Sequence, residues 1–222
     1  MDNKKKKKST IREYIEAFAV AGILAFIIRT FLFQAFKIPS GSMVPTLLIG
    51  DHIIVEKFLY HTPLPFSSAA LRNIKHGDII VFEYPKDPEK DFIKRVIGLP
   101  GDIIEIKAGT LWLNSQPVRE QPAPDGTTMP PDENGTLFIE EINSTKHRTL
   151  HKNQRSMLSM EYGPVTVPTD SYFVMGDNRD NSSDSRVWGF VKTDAVKGKA
   201  FMIYWSLGED GFRPKRIGNI IK

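Results

Sequence analysis

The chain has 222 residues, 41% of them hydrophobic and 25% charged, which excludes wholesale disorder and suits one sizeable domain or two small ones. Residues 1–13 hold Lys4, Lys5, Lys6, Lys7, Lys8 and Arg12 against Asp2 and Glu13, so the whole net charge of +4 belongs to this tail and the rest of the chain is neutral. Nucleic-acid binding needs a basic face on the folded part and is not expected. The absence of cysteine excludes disulfides, thiolate zinc sites and a cysteine nucleophile.

After the basic tail, residues 14–33 read YIEAFAVAGILAFIIRTFLF. Glu16 and Arg29 lie near the ends of the uncharged core, where long side chains reach lipid headgroups while their stems stay in hydrocarbon. The segment has about the 20 residues that a helix needs to cross a bilayer. The alternatives are a cleaved secretory signal and a buried amphipathic helix. Against the first, residues 29–37 (RTFLFQAFK) offer bulky aromatics and no small-x-small cleavage site. Against the second, the apolar residues cover the whole circumference. We expect a single transmembrane anchor over residues 14–35, the lysine-rich tail 1–13 in the cytoplasm, and residues 36–222 on the other side.

From residue 38 onward short β-branched and aromatic runs predict strands: 53–55, 78–82, 92–97, 103–106, 111–113, 137–142, 165–167, 172–175 and 201–205. Gly and Pro turn signals bound many of them, such as Gly50-Asp51, Gly77-Asp78 and Pro100-Gly101-Asp102. The expected fold is mostly β, an antiparallel barrel-like domain behind one N-terminal transmembrane helix, with a small excursion at about residues 108–163. Residues 116–135 read as a loop or long hairpin tip. The apolar segment 58–66, FLYHTPLPF, either touches the membrane surface or packs in the core.

Three constellations are candidates for chemistry. The first is PSGSMVPTL, residues 39–47, which begins within a few residues of the expected span. An extended chain advances at most ~3.3–3.6 Å per residue, so Ser42 lies close to the bilayer under that reading. Two prolines and a glycine prevent regular structure, and a serine held exposed in such a loop suits a nucleophile; a plain linker is the alternative. The second is DFIKRVIGLPGD, residues 91–102. On a strand Phe92, Lys94 and Val96 share one face. Burial among them would lower the lysine pKa, as a general base near neutral pH requires; a lysine with its stem on apolar surface and its head in water is the alternative. The third is GDNRDNSSDSRVWGF, residues 176–190, whose Asp, Asn, Ser and Arg fit a hydrogen-bonded network around a site.

Other chemistries lack their signatures. Read as a calcium loop, the third run puts Arg179 where an oxygen ligand should be, or Ser185 and Val191 at the glycine and glutamate positions. The five histidines form no HExxH, and only His147 and His151 have helical ligand spacing, with no third ligand in view. A Ser–His–Asp triad stays open because its members need not be adjacent, although nothing singles out one histidine. No nucleotide-binding motif is present.

Taken together, in this order and after an N-terminal span, the three segments resemble the boxes of bacterial type I signal peptidase (leader peptidase). The resemblance implies a mostly β catalytic domain with a Ser/Lys dyad, Ser42 as nucleophile and Lys94 as general base. It also implies that Ser40 lends its hydroxyl to the oxyanion hole and that Ser182 orients Lys94. Arg95, Asp177, Asp184 and Arg186 would form a supporting network. Phe36, Ile38, Leu47, Val81, Phe92 and Ile93 would line shallow pockets for small residues at substrate positions −1 and −3. The implied substrates are preprotein signal peptides, and the implied partners are the lipid bilayer and the secretion translocon. No cofactor or metal is implied. The implied location is the bacterial inner (plasma) membrane, single-pass, with the N-terminus cytoplasmic and the catalytic domain outside. The chain departs from some members in having one span rather than two and a short segment between the second and third boxes. Two rival readings are a different Ser/Lys peptidase of the self-cleaving repressor kind, and a non-catalytic anchored β-domain that binds envelope partners.

Overall fold

The computed structural model describes residues 10–27, 32–57, 74–124 and 134–221. The segment 58–66, most of the basic tail and Arg29 lie outside the described residues. The chain begins with a helix, Thr10–Ile27, of 18 residues. At about 1.5 Å per residue it is roughly 27 Å long, and Arg12, Glu13 and Glu16 occupy its first two turns. Among the described residues no helix is long and apolar enough to cross a membrane. The expected span of 14–35 also differs at its far end: Phe33–Lys37 form a strand, β1, because alternating exposed and half-buried residues there pair with the next strand.

The strands that follow are β2 (Asp51–Glu56), β3 (Ile79–Tyr84), β4 (Asp87–Gly98), β5 (Ile103–Lys107), β6 (Thr110–Leu113), β7 (Gln116–Pro117), β8 (Arg119–Pro122), β9 (Thr136–Ile142) and β10 (Thr145–His151). They continue with β11 (Tyr162–Thr166), β12 (Ser171–Met175), β13 (Val191–Lys192), β14 (Val196–Gly208) and β15 (Gly211–Phe212). The mostly β expectation holds, but the barrel does not. The eight-stranded main sheet runs β1-β2-β14-β3-β4-β12-β13, with β15 on β14, and its two ends stay unpaired with each other among the described residues.

The region read as an excursion contains β6 to β10. These strands build a three-stranded sheet, β10-β9-β8, and half of a four-stranded one, β11-β5-β6-β7. Residues 116–124, expected as loop, include β7 and β8, while 125–133 are outside the description.

The main sheet is buried on both faces, which explains the unbroken apolar run in β3. Ile79 and Val81 point into one core cluster with Ile38, Met43, Leu47, Ile53 and Val55. Ile80 and Phe82 point into the opposite one with Val96, Val174 and Val191. At about 25 cal/mol per Å2 of apolar surface, burial on two faces makes this sheet a rigid platform for whatever its loops carry.

Candidate active site

Ser42 sits in the connection between β1 and β2, on a single 3-10 turn, Gly41–Met43. This connection is not a linker. Met43 and Leu47 are fully buried in the core, and backbone bonds from Ile38 to Asp51 (2.8 Å) and Gly50 to Ile38 (3.0 Å) close its base. The apolar residues of PSGSMVPTL therefore fasten the loop while Ser42 itself stays half-buried.

Lys94 lies on β4 opposite Ile80 of β3 and is 3% exposed. Its Nζ is 2.7 Å from Ser42 Oγ and donates to the Ile93 carbonyl at 3.0 Å. The ring of Phe92, stacked on Tyr84, has its centroid 5.4 Å from Nζ. Burial pushes the Lys94 pKa down to about 8, against the charges of Asp184 and Asp177, which raise it; Arg186 lowers it further. A neutral amine in this place has its lone pair available to the Ser42 hydroxyl.

The strand pairing that carries Lys94 also delivers the third motif. Val174 and Met175 of β12 pair with Val96 and Arg95 of β4, so the chain leaving β12 at Gly176 runs directly behind Ser42. A Cβ on Gly176 would overlap the Ser42 carbonyl and the Ser182 hydroxyl, so only glycine fits there. Asn178 holds the nucleophile loop from this side: its N–H donates to the Ser42 carbonyl and its Nδ2 to the Gly41 carbonyl, both at 3.1 Å.

Two buried ion pairs flank the site. Arg95 donates to both Asp177 oxygens at 2.7 Å and to the Gly77 carbonyl at 2.6 Å, and Thr46 adds its hydroxyl to Asp177. Burial alone would raise the Asp177 carboxyl, but the charge and bonds of Arg95 outweigh it and hold the pKa below the ordinary value. Arg186 grips Asp184 at 2.8 and 2.7 Å and bonds the Arg179 carbonyl and Ser159 hydroxyl. Asp184 in turn caps the short helix Ser185–Trp188 and accepts the Gly176 N–H at 3.0 Å. Its carboxyl is likewise raised by burial and lowered, on balance, by Arg186.

Ser40 is exposed at the N-cap of the 3-10 turn, and its side chain caps nothing. The Ser182 hydroxyl is buried on the Asp184 side, where it helps to lower that carboxyl, and the bond expected from it to Lys94 is not formed here. Of the six residues expected to line the substrate pockets, Phe36, Ile38, Leu47, Val81 and Ile93 pack in one core cluster. Phe92 packs on the opposite face, beside Lys94. Ile38, Leu47 and Val81 are buried, so Phe36 and Ile93 form the more open part of that group.

The sequence reading did not single out Thr46, Gly176, Asn178, Glu140 or Arg179. Arg179 makes a third buried bidentate pair, with Glu140 of β9, at 2.5 and 2.6 Å. Gly176, Asn178 and Arg179 stood within the third motif, and Thr46 within the first. Glu140 had no signal, since one glutamate in a half-buried strand resembles any other.

A family model described as "Signal peptidase, peptidase S26" matches residues 11–205. The chain is similar to Signal peptidase I of Pseudomonas fluorescens, 36% identical over 218 residues that cover 91% of this chain and 75% of the relative. It is also similar to Signal peptidase I of Leptolyngbya laminosa, 36% identical with 94% and 88% covered, and to Signal peptidase I P of Bacillus subtilis subsp. natto, 37% identical with 83% of each chain covered. With most of its length matched by the family model and by these relatives, the chain belongs to the S26 signal peptidase family.

Proposed function

We propose that this chain removes signal peptides from preproteins as a serine endopeptidase, with Ser42 as nucleophile and Lys94 as general base. The observation that carries the assignment of the pair is the 2.7 Å approach of a buried lysine Nζ to one serine Oγ, in a setting that favours the neutral amine. Neutral Lys94 takes the Ser42 proton as Oγ attacks the scissile carbonyl carbon. The oxyanion meets the Ser42 N–H and the Ser40 hydroxyl. As the C–N bond breaks, Lys94 returns its proton to the leaving amine and an acyl-enzyme remains. Water then attacks the ester, gives a proton to Lys94, and the Ser42 oxygen leaves with that proton. Arg95–Asp177 and Arg186–Asp184 act as positioning pairs, and Ser182 orients the lysine once substrate reorganises the site.

The substrate's extended segment has a natural docking place. Among the described residues no strand pairs the edge of β4 away from β3 between residues 87 and 94, beside Lys94. A peptide laid there gains main-chain hydrogen bonds, and alternate side chains face the sheet. On this reading Phe36 and Ile93, packed against the buried Ile38, Leu47 and Val81, line the pockets for small residues at −1 and −3, and Phe92 lies beside Lys94.

Membrane attachment follows the same reading. Ile11, Ile15, Phe18, Ile23, Leu24 and Phe26 are more than half exposed around the Thr10–Ile27 helix, a surface suited to lipid rather than water. The tail of lysines keeps the N-terminus in the cytoplasm and the catalytic domain beyond the inner membrane, where preproteins emerge from the translocon held as membrane helices. The deciding experiment is cleavage of a preprotein whose signal ends in Ala-x-Ala by the full chain in detergent. Wild type cuts after the second alanine; Ser42→Ala and Lys94→Ala do not. Full turnover by either variant would refute the assignment.

A further inference from the structure

Behind the nucleophile loop, away from Ser42 and Lys94, lies a cavity of about 340 Å3 between β10, the middle of β14 and the C-terminal segment. Its lining includes Ile203, Ile220 and Ile221 together with His147, Arg148 and Arg216. No aspartate or glutamate lines it. The carboxylates around it are already occupied: Asp51 pairs with Arg216, Glu140 with Arg179, and Asp177, which takes the Thr46 hydroxyl, with Arg95.

Donor capacity is left over on the basic side. Arg148 is exposed and has no ion-pair partner among the described residues. Arg216 engages Asp51 and the Thr46 carbonyl through Nε and Nη2 only. His147 is 6% exposed, and although its Nε2 lies 3.1 Å from Glu140, its Nδ1 hydrogen-bonds nothing among the described residues.

We propose that this cavity is a binding site for a small amphiphilic anion, a carboxylate or phosphate head on a short apolar chain. The head is taken by Arg148 and Arg216, since guanidinium groups favour planar or tetrahedral oxyanions over neutral heads. The chain lies on the isoleucines. The cavity is larger than a bare anion needs and leaves room for a short chain. The site is independent of the peptidase reading, because none of its basic residues belongs to the proposed catalytic machinery.

The test uses the full chain in a maltoside detergent, with octanoate and octyl phosphate as probes and inorganic phosphate and octylammonium as controls. The expected result is a saturable rise in Tm and a shift of the His147 ring resonances with both probes or with one, the tighter arm naming the head group, and no effect from either control. Arg148→Gln, which leaves the unliganded Tm and preprotein cleavage unchanged, weakens probe binding at least tenfold; Ile220→Ser weakens it severalfold. Equal response to octylammonium, equal binding by inorganic phosphate, or unaltered affinity in Arg148→Gln would overturn the proposal. Because binding is read without turnover, this outcome is separable from loss of the peptidase assignment.

Discussion

Lowering the pH through the Lys94 titration is the sharpest perturbation of the proposed mechanism. With a folded pKa of about 8 against an ordinary 10.5, Lys94 is disfavoured as an ammonium by roughly 3 kcal/mol. Only about one-tenth of the enzyme then carries the neutral base at pH 7, and about one-hundredth at pH 6. Initial rates of preprotein cleavage under kcat/KM conditions from pH 5.5 to 9.5 should rise tenfold per unit and level off above about 8. The same shift has a stability consequence of defined sign. Between about 8 and 10.5 the unfolded state holds the proton and the folded state does not, so stability rises with pH across that window and is lost as pH falls through the folded pKa. Replacing the lysine by an apolar residue of like shape, Lys94→Met, abolishes that slope and leaves the protein up to about 3 kcal/mol more stable near pH 7, read by urea unfolding. A cleavage profile flat down to pH 6, or a Lys94→Met protein with the wild-type stability slope between pH 8 and 10, would refute the buried-base argument.

Three further outcomes follow from the packing around the dyad. Gly176→Ala drives a Cβ into the Ser42 carbonyl, so preprotein cleavage should fall at least tenfold while overpacking lowers stability by about 1–3 kcal/mol in chemical denaturation. Asn178→Ala removes the side-chain hold on the Gly41 carbonyl but keeps the backbone bond to Ser42; kcat should fall about tenfold with little change in unfolding midpoint, and undiminished kcat would remove Asn178 from a positioning role. Glu140→Gln strands the buried Arg179 guanidinium and should cost about 3–5 kcal/mol by urea unfolding, with Glu140→Gln/Arg179→Met recovering much of the loss.

The chain's local patterns decided a good deal on their own. Alternation and turn residues placed β2, β3, β4, β12 and β14 of the main sheet, because side-chain period and Gly or Pro breaks act within a few residues. The first two motifs also drew attention to Ser42 and Lys94, since a serine held in a Pro/Gly-rich loop and a lysine inside an apolar run are visible without a fold, while Arg95, Asp177, Asp184 and Arg186 came only from the family resemblance. What the sequence left open was set by pairing at long range. The stretch at β1 reads as equally apolar whether it continues a helix or joins β2, and only hydrogen bonding to residues 52–56 makes it a strand. Barrel closure depends on whether two distant edges meet, a property no local window contains. Glu140 becomes the partner of Arg179, and Arg148 and Arg216 come to share one cavity, solely because the three-stranded sheet packs across the third motif and the chain's end folds back along β14. A charge's role depends on its partners and its distance from water, and both are fixed by tertiary contacts rather than by neighbours in the chain.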